Sequence, residues 1–146
     1  MNTNDMLKLE NQLCFSIYAV SRSIGKVYQK LLEDIGLTYP QYLAMLVLWE
    51  KETITMKDLG NKLYLDSGTL TPMIKRLENI GLVKRERSSE DERLLCITIT
   101  EKGMLLKEKA SDIPQCLINS IDADISLLIN TKKNMDELLE ILTKTN

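Results

Sequence analysis

The chain has 146 residues, of which 44% are apolar, and a net charge of −2, which is enough apolar content for one domain with its own core. No apolar run reaches the length of a membrane span, and the N-terminus lacks the layout of a secretory signal. The three cysteines have no paired spacing, which argues against a disulfide framework. We therefore expect a cytoplasmic protein with no membrane contact. Because the chain contains no histidine, the usual zinc patterns are absent, and we expect neither a metal site nor another cofactor.

The N-terminal part of the chain predicts two helices. Apolar residues recur at helical spacing from Leu9 to Glu33 and indicate one long helix. Thr38, followed by Pro40, has the form of a second helix start, and this helix runs through Trp49.

The next stretch predicts two short helices joined by a sharp turn. Thr55 with Asp58 three positions later indicates a helix start, and this helix ends near Tyr64. Asp66 and the serine after it cap the following helix, which stops at Gly81. In a helix-turn-helix, the second helix of such a pair offers its N-terminal turns to the major groove of DNA.

The second helix of this pair carries side chains that suit DNA. Ser67, Thr69 and Thr71 offer small hydrogen-bonding groups for base edges. Lys75 and Arg76 follow one turn later and offer cations for phosphates. Double-stranded DNA is therefore the leading partner.

A basic hairpin follows these helices. Residues 82–87 and 94–99 predict two strands, and the polar residues 88–93 join them as a wing. Residues 67–89 carry a net charge of +3, whereas the rest of the chain carries −5, so the positive charge is focused as phosphate binding requires. We predict an α+β fold, mainly α: a winged helix-turn-helix over residues 38–100.

The C-terminal part predicts two more helices, Glu101 to about Ile129 and Lys132 to Leu142, with a kink at Pro114. A small winged domain does not need so much apolar helix for itself. Within one domain of residues 1–146, we therefore assign residues 8–34 and 101–146 to a homodimer interface. A two-fold dimer sets its recognition helices about 34 Å apart, one turn of DNA, and predicts a palindromic operator.

These features together resemble the MarR family of bacterial transcription regulators. The resemblance is carried by the helix that begins at Asp66, by Gly81-Leu-Val, and by the segment from Arg87 to Arg93. It implies that Asp91 orients Arg93, which enters the minor groove. The DNA-facing residues that it implies are Ser67, Thr69, Thr71, Lys75, Arg76, Arg85, Arg87 and Arg93.

A cysteine and three tyrosines form a second candidate site. Cys14 and Tyr18 are four residues apart and share a helix face, so their side chains can meet. Tyr28 lies on nearly the same face but about 21 Å further along a straight helix, so it cannot reach Cys14 of its own chain. It can reach a second subunit's Cys14 if the two helices meet head to tail.

Within the MarR family the chain is most similar to the organic-hydroperoxide-sensing repressors, the OhrR branch. The resemblance implies that Cys14 senses the peroxide. It also implies that Tyr18 of the same subunit, and Tyr28 and Tyr39 of the partner, surround the thiolate. An organic hydroperoxide is then the oxidant, and oxidation releases a repressor from DNA.

The nucleophile that attacks a peroxide is a thiolate, and phenol hydroxyls that donate to sulfur stabilise it. None of the seven residues that follow Cys14 is a lysine or arginine, so stabilisation must come from hydrogen bonds or from a cation folded in from elsewhere. By the same resemblance, the oxidised sulfur is either capped by a small thiol or joined in a disulfide to Cys116 of the partner subunit. Cys96 is interpreted as packing.

Three alternatives remain open at this stage. A thiol peroxidase would also use an activated cysteine, but Cys14 lacks a serine or threonine three positions earlier, and the chain has no Cys-x-x-Cys. A repressor of the same fold could instead sense a small phenolic ligand, with Cys14 inert. A structural DNA-coating protein would bind without sequence preference. We predict a regulator, not an enzyme.

Overall fold

The computed structural model describes residues 3–144. The helices are α1 (Thr3–Met6), α2 (Leu13–Leu32), α3 (Tyr39–Lys51), α4 (Met56–Leu63), α5 (Ser67–Asn79), α6 (Glu101–Ala110), α7 (Ile113–Ser120) and α8 (Ile125–Lys144). Short 3-10 turns occupy Leu9–Asn11 and Glu33–Ile35. The strands are β1 (Thr53–Thr55), β2 (Val83–Arg87) and β3 (Leu95–Ile99).

A small antiparallel sheet supports the helix pair. Its strand order is β1-β3-β2, with Thr53 opposite Thr98 and Val83 opposite Ile99. Strand β1 was not predicted, because three residues are too short to show an alternating pattern. The mainly helical α+β class and the winged helix-turn-helix are confirmed.

The predicted helix starts have the capping bonds that their residue types allow. Thr38 and Gln41 form a reciprocal capping box at the start of α3. The backbone N–H of Asp58 donates to the Thr55 hydroxyl at 3.1 Å, and that of Thr69 donates to the Asp66 carboxylate at 2.8 Å. Each bond satisfies an N–H that a helix leaves unpaired in its first turn.

The single N-terminal helix predicted from Leu9 to Glu33 was wrong at its start. Gln12 has an extended backbone (φ −93°, ψ 110°) that separates a 3-10 turn from α2. The Gln12 side-chain amide donates to the carbonyls of Met6 and Lys8, which provides a local alternative to helical bonds. As a result, Cys14 is the second residue of a helix and not an interior one.

The C-terminal prediction also needs correction. The helix predicted from Glu101 to Ile129 is broken into α6, α7 and the start of α8. Pro114 does not kink a continuous helix but occupies the first turn of α7, where its missing N–H leaves no helical bond unmade. The second break falls at residues 121–124, and α8 then runs through the predicted start at Lys132.

The core is centred on α3. Tyr42, Met45 and Leu48 are buried there, and they belong to one apolar cluster with α4, α5 and the sheet. Trp49 connects this core to the C-terminal helices, because its indole N–H donates to the Gly103 carbonyl at 2.8 Å. Across residues 3–144, no helix combines the length and apolar character required to cross a bilayer.

Candidate DNA-binding and thiol sites

The first turns of α5 present polar side chains to solvent. Ser67 and Thr69 are exposed, Thr71 is half-buried, and Lys75 and Arg76 are exposed one turn further on. The opposite face of α5 is buried through residues such as Leu70, Ile74 and Leu77. The helix is therefore fixed by its apolar face while its polar face remains available.

The wing tip holds Asp91 and Arg93 together. Arg93 donates from Nε to Asp91 Oδ1 at 3.0 Å and from Nη2 to Oδ2 at 3.2 Å. This side-chain bonding lowers the pKa of the Asp91 carboxyl, so the carboxylate stays charged. The Arg93 side chain is nevertheless 90% exposed, so an oriented cation projects from the tip.

Arg87 supports the same loop. Its guanidinium donates to the carbonyls of Glu92 and Arg93, at 3.4 and 3.3 Å. These bonds join the first wing strand to the loop that follows it. Arg87 is also exposed, and its contact with DNA stays a prediction.

Arg85 has a partner that the sequence analysis missed. Glu78, near the end of α5, accepts from the Arg85 backbone N–H at 3.0 Å and from its Nε at 2.8 Å. These bonds lower the pKa of the Glu78 carboxyl. The ion pair is half-buried and joins the recognition helix to the first wing strand. Glu78 and Arg85 are seven residues apart, one in a helix and the other in a strand, so neither the helical nor the strand periodicity predicts this ion pair.

The three cysteines are free and lie in different places. Cys14 is exposed in the first turn of α2, Cys116 is exposed in α7, and Cys96 is half-buried in β3. Helix α7 packs against α2, and its last residue, Ser120, borders a cleft with Lys30 of α2. Within one chain, α7 therefore lies beside the C-terminal half of α2, whereas Cys14 lies at its other end.

Two of the predicted tyrosines form a stack. The rings of Tyr28 and Tyr39 have centroids 4.3 Å apart at 26°, and Tyr42, which the sequence analysis missed, lies 5.9 Å from Tyr28. Tyr42 follows Tyr39 by three residues in α3, a helical spacing that could have indicated it. Tyr28 and Tyr39 are thus brought together, whereas Cys14 and Tyr18 of the same chain are not in this stack.

Burial keeps these phenols protonated. Burial first, and then the neighbouring tyrosines Tyr39 and Tyr42, raise the pKa of Tyr28 to about 12. Burial also raises the pKa of Tyr39. Neither hydroxyl makes a hydrogen bond within the described range 3–144. Each is therefore a neutral phenol whose O–H is free to donate to an anion.

Tyr18 lies apart from the stack, exposed on α2, and it has a cationic neighbour. Arg22 Nη1 donates to the Tyr18 oxygen at 3.1 Å, and the guanidinium carbon lies 5.5 Å from the ring centroid. The sequence analysis missed Arg22, which lies eight residues after Cys14, just beyond the seven residues without a lysine or arginine that follow the thiol. Its spacing of four residues from Tyr18 is the signal that could have found it.

Comparison with known proteins adds a family to this geometry. Residues 26–110 match the family of transcriptional regulators SarA/Rot. The organic hydroperoxide resistance transcriptional regulator of Bacillus subtilis (strain 168) is 53% identical over 145 residues, which are 99% of each chain. The structure of reduced AbfR bound to DNA gives a TM-score of 0.81 at 40% identity, covering 98% of this chain and 97% of that one.

The disulfide form of AbfR, a protein of Staphylococcus epidermidis, is less similar in structure. It gives a TM-score of 0.63 at 41% identity, covering 97% of this chain and 94% of that one. These relatives are regulators, which sets aside the thiol peroxidase considered above. A match over more than half of the chain, together with 53% identity along nearly all of it, shows that this protein belongs to the MarR family of transcriptional regulators, in the redox-sensing branch of the organic hydroperoxide resistance regulators.

Proposed function

We propose that this protein is a homodimeric repressor that leaves a palindromic operator when an organic hydroperoxide oxidises Cys14. The observation that carries the proposal is the position of the thiol at one end of α2 and of the stacked Tyr28 and Tyr39 at the other. If two copies of α2 meet head to tail, each thiol lies beside the partner's phenols. The name of the 53% identical relative, an organic hydroperoxide resistance regulator, supports this class of oxidant.

Exposed apolar side chains on the terminal helices support a dimer. Leu13, Phe15 and Val20 of α2 and Ile129 and Leu142 of α8 are at least 40% exposed, and α8 has no buried residue of its own. Such a surface on helices outside the winged region fits an interface between two copies. We assign it to the homodimer.

The polar face of α5 and the wing support operator binding. A two-fold dimer places two copies of Ser67 and Thr69 in successive major grooves, about 34 Å apart. Arg93, held by Asp91, is suited to the narrow minor groove beside them. The relative AbfR has been solved bound to DNA, which supports double-stranded DNA as the partner.

The chemistry at Cys14 is a two-electron oxidation of sulfur. The thiolate attacks one peroxide oxygen, an S–O bond forms as the O–O bond breaks, and the departing alkoxide takes up a proton to give an alcohol. The first turn of α2 carries partial positive charge, which stabilises an anion at Cys14. Protonated Tyr28 and Tyr39 of the partner donate to the same sulfur.

The sulfenic acid then reacts with a second thiol, forming a disulfide and releasing water. Cys116 of the partner subunit is our candidate for that thiol, and a small cellular thiol is the alternative. Within a single chain, α7 lies beside the far end of α2, which favours pairing between subunits. AbfR in its disulfide form resembles the present structure less than reduced AbfR does, which supports a change of shape on disulfide formation.

The test is operator release measured by fluorescence anisotropy on a palindrome selected in vitro, before and after a slight excess of cumene hydroperoxide. Wild type should release DNA and rebind it after a reducing thiol is added. Cys14→Ser should bind DNA equally well and remain bound. Cys96→Ser is the matched control and should respond as wild type, because that residue lies in the sheet.

Two outcomes would change the proposal. Release of Cys14→Ser by peroxide would exclude Cys14 as the sensor. For Cys116→Ser, the proposal expects release only when a small thiol is supplied. If this variant is released as fast as wild type without added thiol, Cys116 is not the resolving residue.

A second candidate function is supported by one observation. An apolar groove of 440 Å³ runs between α2 and α8, lined by Leu13, Ile17, Val20, Ile24, Tyr39 and Met135. A groove of this size and character fits a small phenolic ligand. If this candidate is right, a hydroxybenzoate should release DNA in excess reductant, and Cys14→Ser should respond in the same way.

A further inference from the structure

We propose that Arg22 is a positioning residue for peroxide sensing, which acts on Cys14 through Tyr18. The inference rests on the proposed function, in which Cys14 is the sensing thiol. It names a cation in α2 for a thiol that no lysine or arginine follows within seven residues.

Geometry places the three side chains in a row. Cys14, Tyr18 and Arg22 follow one another at intervals of four residues along α2, so they lie on one face of the helix. Side chains in a helix lean toward its N-terminus, so each of them extends toward the previous one. The observed bond from Arg22 Nη1 to the Tyr18 oxygen follows this direction.

The bond leaves Tyr18 able to donate toward Cys14. Its oxygen accepts from the guanidinium, whereas its own O–H is not used in that bond. A phenol that accepts from a cation is polarised and becomes a stronger donor to an anion. The guanidinium also lies 5.5 Å from the ring centroid, within the range of a cation–π contact, which gives the pair a second favourable interaction.

Arg22 has no competing partner in the described chain. Across residues 3–144, no carboxylate lies within 4.0 Å of its guanidinium nitrogens. It is also the first cation of α2, and the groove beside this part of the helix is lined by apolar and hydroxyl side chains without a charged residue. The charge of Arg22, in the middle of α2, is therefore directed to Tyr18 and not to an ion pair.

The experiment is the pH dependence of Cys14 alkylation by iodoacetamide in the full-length protein, followed by mass spectrometry of the peptide that contains Cys14. The variants are Arg22→Gln, Tyr18→Phe and the double variant. Lys26→Gln is the matched control, since it removes one positive charge from the same helix, one turn further from the thiol. This assay reports the thiol itself and does not depend on DNA release.

Arg22→Gln should move the midpoint of the alkylation profile up by about half a pH unit, which is about a threefold lower rate on the rising limb. Lys26→Gln should move it much less. In the Tyr18→Phe background, Arg22→Gln should cause no further shift, because the residue that transmits its effect is gone.

Two results would overturn the inference: an unmoved midpoint in Arg22→Gln, or an equal shift with and without the Tyr18 hydroxyl. The second result would mean that Arg22 acts only as a charge through space. Failure of the proposed function is seen separately, as peroxide-driven release of Cys14→Ser from DNA. The alkylation midpoints of the single and double variants can still be compared in that case.

Discussion

Of the glycines in the described chain, Gly103, in α6, is the one where an added Cβ has the shortest contact, so Gly103→Ala should lower the stability of the fold. A Cβ built there lies 2.2 Å from the Leu82 carbonyl oxygen and 2.8 Å from Ile99 Cγ1. The first distance is more than 1 Å shorter than ordinary contact, and the nearest atom is backbone, which cannot rotate away. Helix α6 must therefore move away from the strand, and this also stretches the bond from Trp49 to the Gly103 carbonyl.

We expect Gly103→Ala to cost about 3 kcal/mol in overpacking, offset by about 1 kcal/mol from the better helix propensity of alanine. The net loss of about 2 kcal/mol lowers Tm by about 4–8 °C for a domain of this size. Gly25→Ala is the matched control. Gly25 lies in α2 with no atom of its own chain within 4 Å of the added Cβ, so the same substitution should stabilise the subunit by about 0.5–1 kcal/mol.

The assay is thermal unfolding at one fixed protein concentration, because the stability of a dimer depends on concentration. Fluorescence of Trp49, the one tryptophan of the chain, reports the junction directly. A Gly103→Ala protein as stable as wild type, or two alanine variants with shifts of the same sign, would refute the packing argument.

Two further predictions concern the wing and the tyrosine stack. Arg93→Ala should weaken operator binding and reduce the slope of log affinity against log salt by about 1 per subunit. Lys109→Ala, in α6, is the control for loss of one positive charge. An unchanged operator affinity of Arg93→Ala in a salt titration would contradict the wing assignment. Burial raises the pKa of Tyr28 from 10.0 to about 12, so the stability this phenol contributes is complete below pH 10 and is lost as the pH rises toward 12. Tyr28→Phe should lose less stability than wild type across that window in urea unfolding, and equal losses would refute this contribution.

The fold was most predictable where a residue type has one local purpose. Thr55 and Asp66 act as caps because short oxygen-bearing side chains satisfy the first N–H groups of a helix, and both caps are observed. Pro114 was misinterpreted because proline in a helical pattern is compatible with a kink or with a new first turn. The break at Gln12 depends on side-chain bonds to Met6 and Lys8, which periodicity does not reveal.

In the candidate sites too, contacts between near neighbours in the sequence were predictable, whereas contacts between separate elements were not. Asp91 and Arg93 are two residues apart, so their pairing follows from the sequence and is observed. The stack of Tyr28 on Tyr39 joins two helices, and the pair of Glu78 with Arg85 joins a helix to a strand. Contacts of this kind depend on how the elements pack. The roles proposed for Cys14 and Cys116 depend on a second subunit and stay predictions.

The bond between Glu78 and Arg85 has a consequence for how a signal can reach DNA. Because it joins the wing to α5, we expect the two proposed DNA-binding elements of one subunit to move as one unit. In the proposed dimer, we expect a distant chemical event to change the distance and angle between two such units and to leave each unit's shape intact. In the proposed repressor, oxidation thus changes the spacing of half-sites that the dimer can bind. The affinity of one subunit for an isolated half-site is then the same in the reduced and oxidised states.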